Sequence, residues 1–423
     1  MSARGRPSGR AEKPDALPDP ASGATLDPAS GATPTANAEA GPGTVVLQDG
    51  AALAGGRPPW LVLRRPAGVV EARAASDVTA ALAEVRAQVA RGRVAAGFLA
   101  YEAAPAFDAA LRVRPAGPGP LLWFGLYDAA AVERRRGLPR LPAGSFACGP
   151  WAPEVAAGNY AAAVARVREL IADGWTYQVN LSQRLRAPWG GDSWAVFARL
   201  CRRQRARHAA FAHAGAHVVC SASPELFFAL DSERVVSRPM KGTAPRGALD
   251  TAGAAARDLA AAEALRRSEK DRAENVMIVD MVRNDLGRVA RFGTVRAERL
   301  FEVEGYPTVW QMVSTVTAET AADPGEILAA LFPCASITGA PKVSAMRAIA
   351  DLETSPRGVY TGCIGYWAPG RRAAFNVAIR TVEIDLAAGQ AAYGTGGGVV
   401  WDSTPAGEAA EILTAGGRVS GVR

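Results

Sequence analysis

Apolar residues recur along this chain in two rhythms, one of three to four residues and one of two, and the switches between them outline its elements. Helical spacing runs over Val78–Val89 and over Tyr160–Asp173, where Val164, Val167, Leu170 and Ile171 form one stripe before Gly174. It returns over Arg257–Arg288, read as one long helix, over Glu326–Phe332 and Lys342–Leu352, and over a closing helix Pro405–Ala415. Ala95–Tyr101 and Leu121–Tyr127 have the continuous apolar character of buried strands, and Thr176–Leu185 alternates. Strands are also predicted at Val218–Ser221, Glu225–Leu230, Val235–Arg238, Gly362–Trp367, Ala374–Ile384 and Gln390–Tyr393. They come in adjacent runs and do not alternate strictly with helices, which predicts an α+β fold with antiparallel sheets.

The rhythm is missing from residues 1–43, where Ala, Pro, Gly, Ser and Thr dominate and Asp19–Thr25 recurs unchanged as Asp27–Thr33. Such a segment buries too little surface to offset its ordering entropy and is expected to be a disordered tail. No apolar stretch follows its arginines, so a secretory signal is not expected. An Arg-rich, then Pro/Gly-rich connector at 131–152 divides the remainder into an amino-terminal lobe, 44–150, and a main catalytic domain, 151–423. No run of about 18 apolar residues is present, which excludes a membrane-spanning helix. Five scattered cysteines without paired spacing fit reduced cytoplasmic thiols better than a disulfide frame. The net charge of +7 is spread over helical stretches. Without interleaved aromatics it argues for solvated faces and anionic substrates, not nucleic acid.

Charge becomes informative through one bias. Of 48 basic residues only Lys13, Lys241, Lys270 and Lys342 are lysines. Arg does not deprotonate in proteins, whereas a desolvated Lys can become a nucleophile, so a retained lysine is a candidate for chemistry. Lys241, in Arg238-Pro239-Met240-Lys241-Gly242-Thr243, is the foremost. Glu274 shares a helix stripe with Ile278 and Met281, and Glu408 and Glu411 share a face beyond the Thr404 cap and Pro405. Three carboxylates without His or Cys suit a hard cation such as Mg²⁺, although spacing alone favours solvent-facing charges. The Gly394–Gly398 run matches no nucleotide fingerprint and can be a tight turn or a backbone cradle for an anion. Arg380, in an otherwise apolar segment, is either a carboxylate grip or half of an ion pair. Glu225, in Ser223-Pro224-Glu225, is a candidate acid or base. His208, His213 and His217 lack ligand-like spacing and are expected to be packing or surface residues.

Together these segments resemble the chorismate-utilising enzyme family. The resemblance is carried by Tyr177–Leu181, Ser223–Glu225, Pro239–Thr243, Asp271–Asp285, Ser336–Lys342, Tyr360–Gly362, Arg380 and Gly394–Glu411, so it covers about residues 153–415. It implies two antiparallel sheets packed as a sandwich with flanking helices. Within the family, the position of Gln178 is Lys in branches that add water to chorismate, and the position of Lys241 is typically Ala in anthranilate synthases. The Pro-Met-Lys-Gly-Thr segment is most similar to the branch that aminates chorismate at C4, aminodeoxychorismate synthase component I. That resemblance implies Lys241 as nucleophile, Glu225 as acid, and Mg²⁺ on Glu274, Glu408 and Glu411. It further implies substrate contacts from Gln178, Thr243, Thr338, Gly339, Tyr360, Arg380, Gly396 and Gly398, with Arg238 and Arg246 as neighbours able to lower the lysine pKa. An anthranilate synthase-like enzyme, an aminodeoxyisochorismate synthase and a non-catalytic scaffold for an amidotransferase are the alternatives.

Two positions depart from the pattern. Gln311 stands where many relatives have a His at the catalytic site, and Ala415 where they commonly have a Lys. No glutamine amidotransferase motif is present, so ammonia is expected from a separate amidotransferase subunit, and release of pyruvate from a separate lyase.

Overall fold

The computed structural model describes residues 40–51, 58–141, 144–246, 253–410 and 412, all within the compact unit Asn37–Arg423. Most of the expected tail, residues 1–39, lies outside the described residues. Its last four residues belong to the folded body: Ala40 is buried, the Gly43 amide donates to the His213 carbonyl, and the Gly43 carbonyl accepts from the Tyr127 hydroxyl.

Two large sheets carry the fold, and every strand pairing among the described residues is antiparallel. The first runs Gly339–Ala340, Gln178–Gly191, Gln390–Val399, Thr381–Asp385, His217–Ser223, His208–Ala214, Val45–Gln48, Trp60–Leu63 and Glu133–Arg135. The second runs Met240–Pro245, Val309–Glu319, Arg234–Arg238, Leu226–Asp231, Arg372–Val377, Cys363–Ala368, Arg93–Leu99, Leu122–Asp128 and Gly68–Ala72. Strand alternation divides the apolar residues between two faces. Val45, Leu47, Leu61 and Leu63 of the first sheet join Phe98, Phe124, Phe228 and Phe375 of the second in the main core. Val46, Trp60, Val62 and Phe211 face the other way, against Trp194 and Phe197 of the helix Ser193–Gln204.

The boundary expected near residue 150 does not separate two bodies. Val45–Gln48 pairs with His208–Ala214, and Arg93–Leu99 pairs with Cys363–Ala368, so strands from both sides of it share both sheets. The long helix expected over Arg257–Arg288 is two, Ala254–Arg267 and Glu269–Gly287. Ser268 between them is extended and its hydroxyl accepts from the Asp271 amide. A serine that can cap competes with one that continues a helix, and here the cap wins. The strand expected over Ala374–Ile384 is also two pieces in different sheets, Arg372–Val377 in the second and Thr381–Asp385 in the first.

Candidate active site

The site is built where edges of the two sheets approach each other. From the first sheet come Gln178–Gly191 and Gln390–Val399, registered so that Gly398 lies opposite Asn180 and Gly396 opposite Ser182. Directly opposed residues and their second neighbours share a face, so Gln178, Asn180, Ser182, Gly396 and Gly398 line one surface. From the second sheet comes the edge strand Met240–Pro245, covered by the helix Glu269–Gly287. The Lys241 amine crosses between them and donates to Asn180 Oδ1 at 3.3 Å.

Gly398 leaves a cradle at this crossing. A Cβ there would lie 2.6 Å from Gln178 Nε2, 2.8 Å from Lys241 Nζ and 3.3 Å from Asn180 Oδ1. Gln178 is fully buried, and neither its amide nitrogen nor its oxygen has a hydrogen-bond partner among the described residues. An orphaned buried amide is costly unless a ligand completes it, which marks this face as one that meets a polar molecule.

The titratable groups around Lys241 are tuned chiefly by burial. Burial pulls the Lys241 amine below the ordinary lysine range, against the opposing charges of Glu274, Glu225 and Glu408. Arg238 and Arg246 do not supply the shift. Arg238 is taken up by Glu304 at 2.9 Å. Arg246 is held by Asp258 at 2.7 Å and stacks on Trp310 with 4.4 Å to the ring centroid. Glu225 is fully enclosed, and its carboxyl is pushed up to about 7 by burial, against a Ser336 hydrogen bond, the Lys241 charge and the Met240 amide. A group with that pKa is available as an acid near neutrality.

Glu274 is half-buried on the helix Glu269–Gly287, above the buried Ile278. Burial raises its carboxyl, and the Glu408 charge acts in the same direction, placing the two carboxylates within electrostatic reach of each other and of Lys241. The Glu408 helix begins as expected, with the Gly407 amide donating to Thr404 Oγ1, and Glu408 accepts from the Ser403 hydroxyl at 2.7 Å. Glu411, with the Ala415 position, lies outside the described residues. Among the described residues no three Asp, Glu, His or Cys side chains gather as a metal site. The two carboxylates within electrostatic reach of each other offer only oxygen donors, the set that a hard divalent cation takes.

The other expected contacts divide into groups. Tyr360 is buried, shares a hydrogen bond with Ser182 Oγ at 3.2 Å, and lies against Gly394, where any side chain would strike its ring. It therefore reaches the lined face through Ser182. Thr338 and Gly339 act through backbone: the Thr338 carbonyl accepts from the Asn180 amide at 2.8 Å, while its hydroxyl turns back to the Cys334 and Ala335 carbonyls. Gly339 has φ +138° and packs directly on the Gln178 carbonyl. Thr243 is exposed and donates to Gln311 Oε1 at 3.2 Å. Arg380 is not in a strand; it has φ +52° at the switch between the sheets. Its guanidinium donates to Gln204 Oε1 at 3.0 Å and lies 5.9 Å from the Tyr306 ring, whose hydroxyl donates to the carbonyl of Pro224, just before Glu225. Lys342 is structural, paired with Asp285 at 2.8 Å.

Sequence reasoning did not single out Asn180, Ser336 or Asn275, although each lies inside a motif-like segment. Nor did it find the brace behind the lined face. The buried Arg357 donates to the Asn180 carbonyl at 2.6 Å and to Glu353, which accepts from the Ser182 amide at 2.8 Å.

A family model described as chorismate binding enzyme matches residues 57–415. The chain belongs to that family. Among curated members of similar sequence, it is 46% identical over 241 residues to the aminodeoxychorismate synthase of Streptomyces griseus, covering 56% of this chain and 32% of that protein. It is 41% identical over 265 residues to the aminodeoxychorismate synthase component 1 of Salmonella typhimurium, covering 62% of this chain and 57% of that one. This chorismate binding enzyme thus aligns with a third to somewhat over half of the length of these relatives. In fold it resembles the crystal structure of anthranilate synthase component I from Streptococcus pneumoniae, with a TM-score of 0.71 at 24% identity, covering 87% of this chain and 92% of that one. The α+β sandwich expected from the sequence is therefore the fold of the family.

Proposed function

We propose that this chain is an aminodeoxychorismate synthase, which replaces the C4 hydroxyl of chorismate by ammonia in the presence of Mg²⁺. The observation that carries the reading is Lys241: an amine pulled below its usual pKa by burial, aimed across a glycine cradle, with a buried carboxyl near pKa 7 close by. The similarity to proteins named aminodeoxychorismate synthase supports it.

The neutral Lys241 amine adds to C2 of the ring as the double bonds shift and the C4–O bond breaks. Glu225 gives its proton to the departing hydroxyl, which leaves as water. Ammonia then adds to C4, the double bonds shift back, the C2–N bond breaks and the lysine returns as the free amine, while the extra proton of the new C4 ammonium returns to the Glu225 carboxylate. The balance is chorismate plus ammonia to 4-amino-4-deoxychorismate plus water. Glu274 and Glu408, with Glu411, would hold the Mg²⁺, which when bound supplies positive charge for a substrate carboxylate. The orphaned Gln178 amide, the Gly396 and Gly398 backbone, Tyr360 with Ser182, and Arg380 beside Tyr306 would receive the remaining polar atoms of the substrate, with Thr338, Gly339 and Thr243 shaping the walls. Ammonia would come from a separate glutamine amidotransferase subunit. A cytoplasmic setting is proposed on the five scattered cysteines, whose spacing suits reduced thiols better than a disulfide frame; no described helix is long and apolar enough to cross a membrane.

The test is identification, by mass and NMR, of the product formed from chorismate, ammonium and Mg²⁺. A 4-amino product is expected, and Lys241→Ala should lower its formation by on the order of 10³-fold or more. A 2-amino product would assign the chain to an anthranilate- or aminodeoxyisochorismate-forming branch. Absence of turnover at saturating ammonium and Mg²⁺ would leave only a scaffold role.

A further inference from the structure

The Lys241 edge strand is not regular. Met240 pairs with Val313 and Thr243 with Gln311, so three steps along one strand face two along the other. That is a β-bulge with one extra residue, a device that re-aims a side chain. Gly242 sits in it at φ +96°, where a Cβ would also press on Asp271 at 3.0 Å and Met312 at 3.3 Å. A bulge frees backbone groups from the ladder, and they must find other partners or go unsatisfied.

Here two side chains supply those partners. Asn275, buried on the helix Glu269–Gly287, donates to the Lys241 carbonyl at 3.2 Å, and its own oxygen accepts from Ser314 at 2.5 Å. Gln311, buried on the neighbouring strand, donates to the Gly242 carbonyl at 2.8 Å while accepting from Thr243. Consecutive peptide groups are thus gripped from a helix on one side and a strand on the other. The Lys241 stem leaves from between the two grips to reach Asn180.

We infer that Asn275 and Gln311 are positioning residues that clamp the Lys241 bulge and fix the direction of its amine. This rests on the reading of Lys241 as the nucleophile. Gln311 suits the task because one planar amide can donate to a carbonyl and accept from a hydroxyl at once. Neither residue needs to touch the substrate, so their effect should fall on the rate of the chemical step and leave substrate binding alone.

The experiment uses the full chain with Gln311→Met, which keeps the size and removes both amide bonds, and Asn275→Ala. Three quantities are read: steady-state 4-amination with ammonium, thermal stability, and the rate at which trinitrobenzenesulfonate labels Lys241, followed by peptide mass. For Gln311→Met we expect kcat to fall about 10- to 100-fold, KM for chorismate to stay within about threefold, and Lys241 labelling to rise several-fold as the amine swings free. Asn275→Ala should show the same split, and the double variant should lose less than the product of the two single losses, because both act on one bulge. A Gln311→Met protein that keeps its kcat, one whose loss lies wholly in KM, or unchanged labelling in both variants would overturn the clamp. Labelling does not depend on what the enzyme makes, so a 2-amino product from the unaltered chain would remove the functional reading while leaving the clamp to stand or fall separately.

Discussion

Glu225 carries a cost that can be measured without substrate. Its folded pKa, about 7, lies above the ordinary value of 4.5, so burial favours the protonated form. The sign follows from linkage: this contribution is fully present below about pH 4.5 and is lost as pH rises through 7. A shift of that size is worth roughly 3 kcal/mol. Glu102, also held near 7 by burial, acts in the same direction. Glu225→Gln should therefore flatten, though not abolish, the decline in urea-unfolding free energy between pH 4.5 and 7. A variant with the same slope as the unaltered protein would mean that Glu225 is already ionised in the fold. At this scale the sequence was informative where a residue type was out of place. Lys241 stands out against the arginines, Glu274 on an apolar helix stripe and Glu225 at the start of a strand. It was silent on Asn180 and Asn275, because polar residues within a motif look alike until the chain brings their partners 61 and 34 positions away into reach. Desolvation lowers the lysine as expected, whereas the share expected from its arginine neighbours is missing, since Arg246 is drawn off by Asp258.

Among elements, Ser268 is the clearest point of leverage. Its hydroxyl caps the helix that carries both Glu274 and Asn275, so it anchors the start of two arms of the site. Ser268→Ala should cost about 1 kcal/mol, and Ser268→Gly less. Chemical denaturation of the two variants gives both numbers; equal losses would remove the hydroxyl from the account. Sequence locates these helices but not the break, because a serine that caps a new helix looks the same in sequence as one inside a continuing helix. The Ala374–Ile384 segment reads as one strand only if a slip is overlooked: its apolar positions pass from Phe375, Val377 and Ile379 to Val382 and Ile384, a shift of one residue across Arg380, which at φ +52° turns the chain from one sheet into the other. Alternation reports that a residue is in a strand and not which sheet the strand joins.

For the molecule as a whole, antiparallel sheets and flanking helices were legible from the order of elements, while the division at residue 150 was not borne by the packing. A composition shift marks a connector, but only pairing decides whether the two sides fold apart. A chain beginning at residue 151 would expose the edges of His208–Ala214 and Cys363–Ala368, which are covered by Val45–Gln48 and Arg93–Leu99. Bare apolar edges template association. That fragment should be aggregated, without the cooperative thermal transition of the full chain, and co-expression with residues 1–150 should restore solubility. A soluble, cooperatively melting fragment would restore the two-domain division.

The same interleaving has a consequence in time. Arg93–Leu99 sits between Leu122–Asp128, which follows it closely, and Cys363–Ala368, about 260 residues later. At 5–20 residues per second, the early strand leaves the ribosome roughly 15–50 s before its second neighbour has been made. For that interval Phe98 and Leu99, fully buried in the finished fold, have only a partial sheet to lie on. The speed of translation through the middle of the message, and the chaperones waiting beside it, thus become determinants of how much of this enzyme a cell obtains.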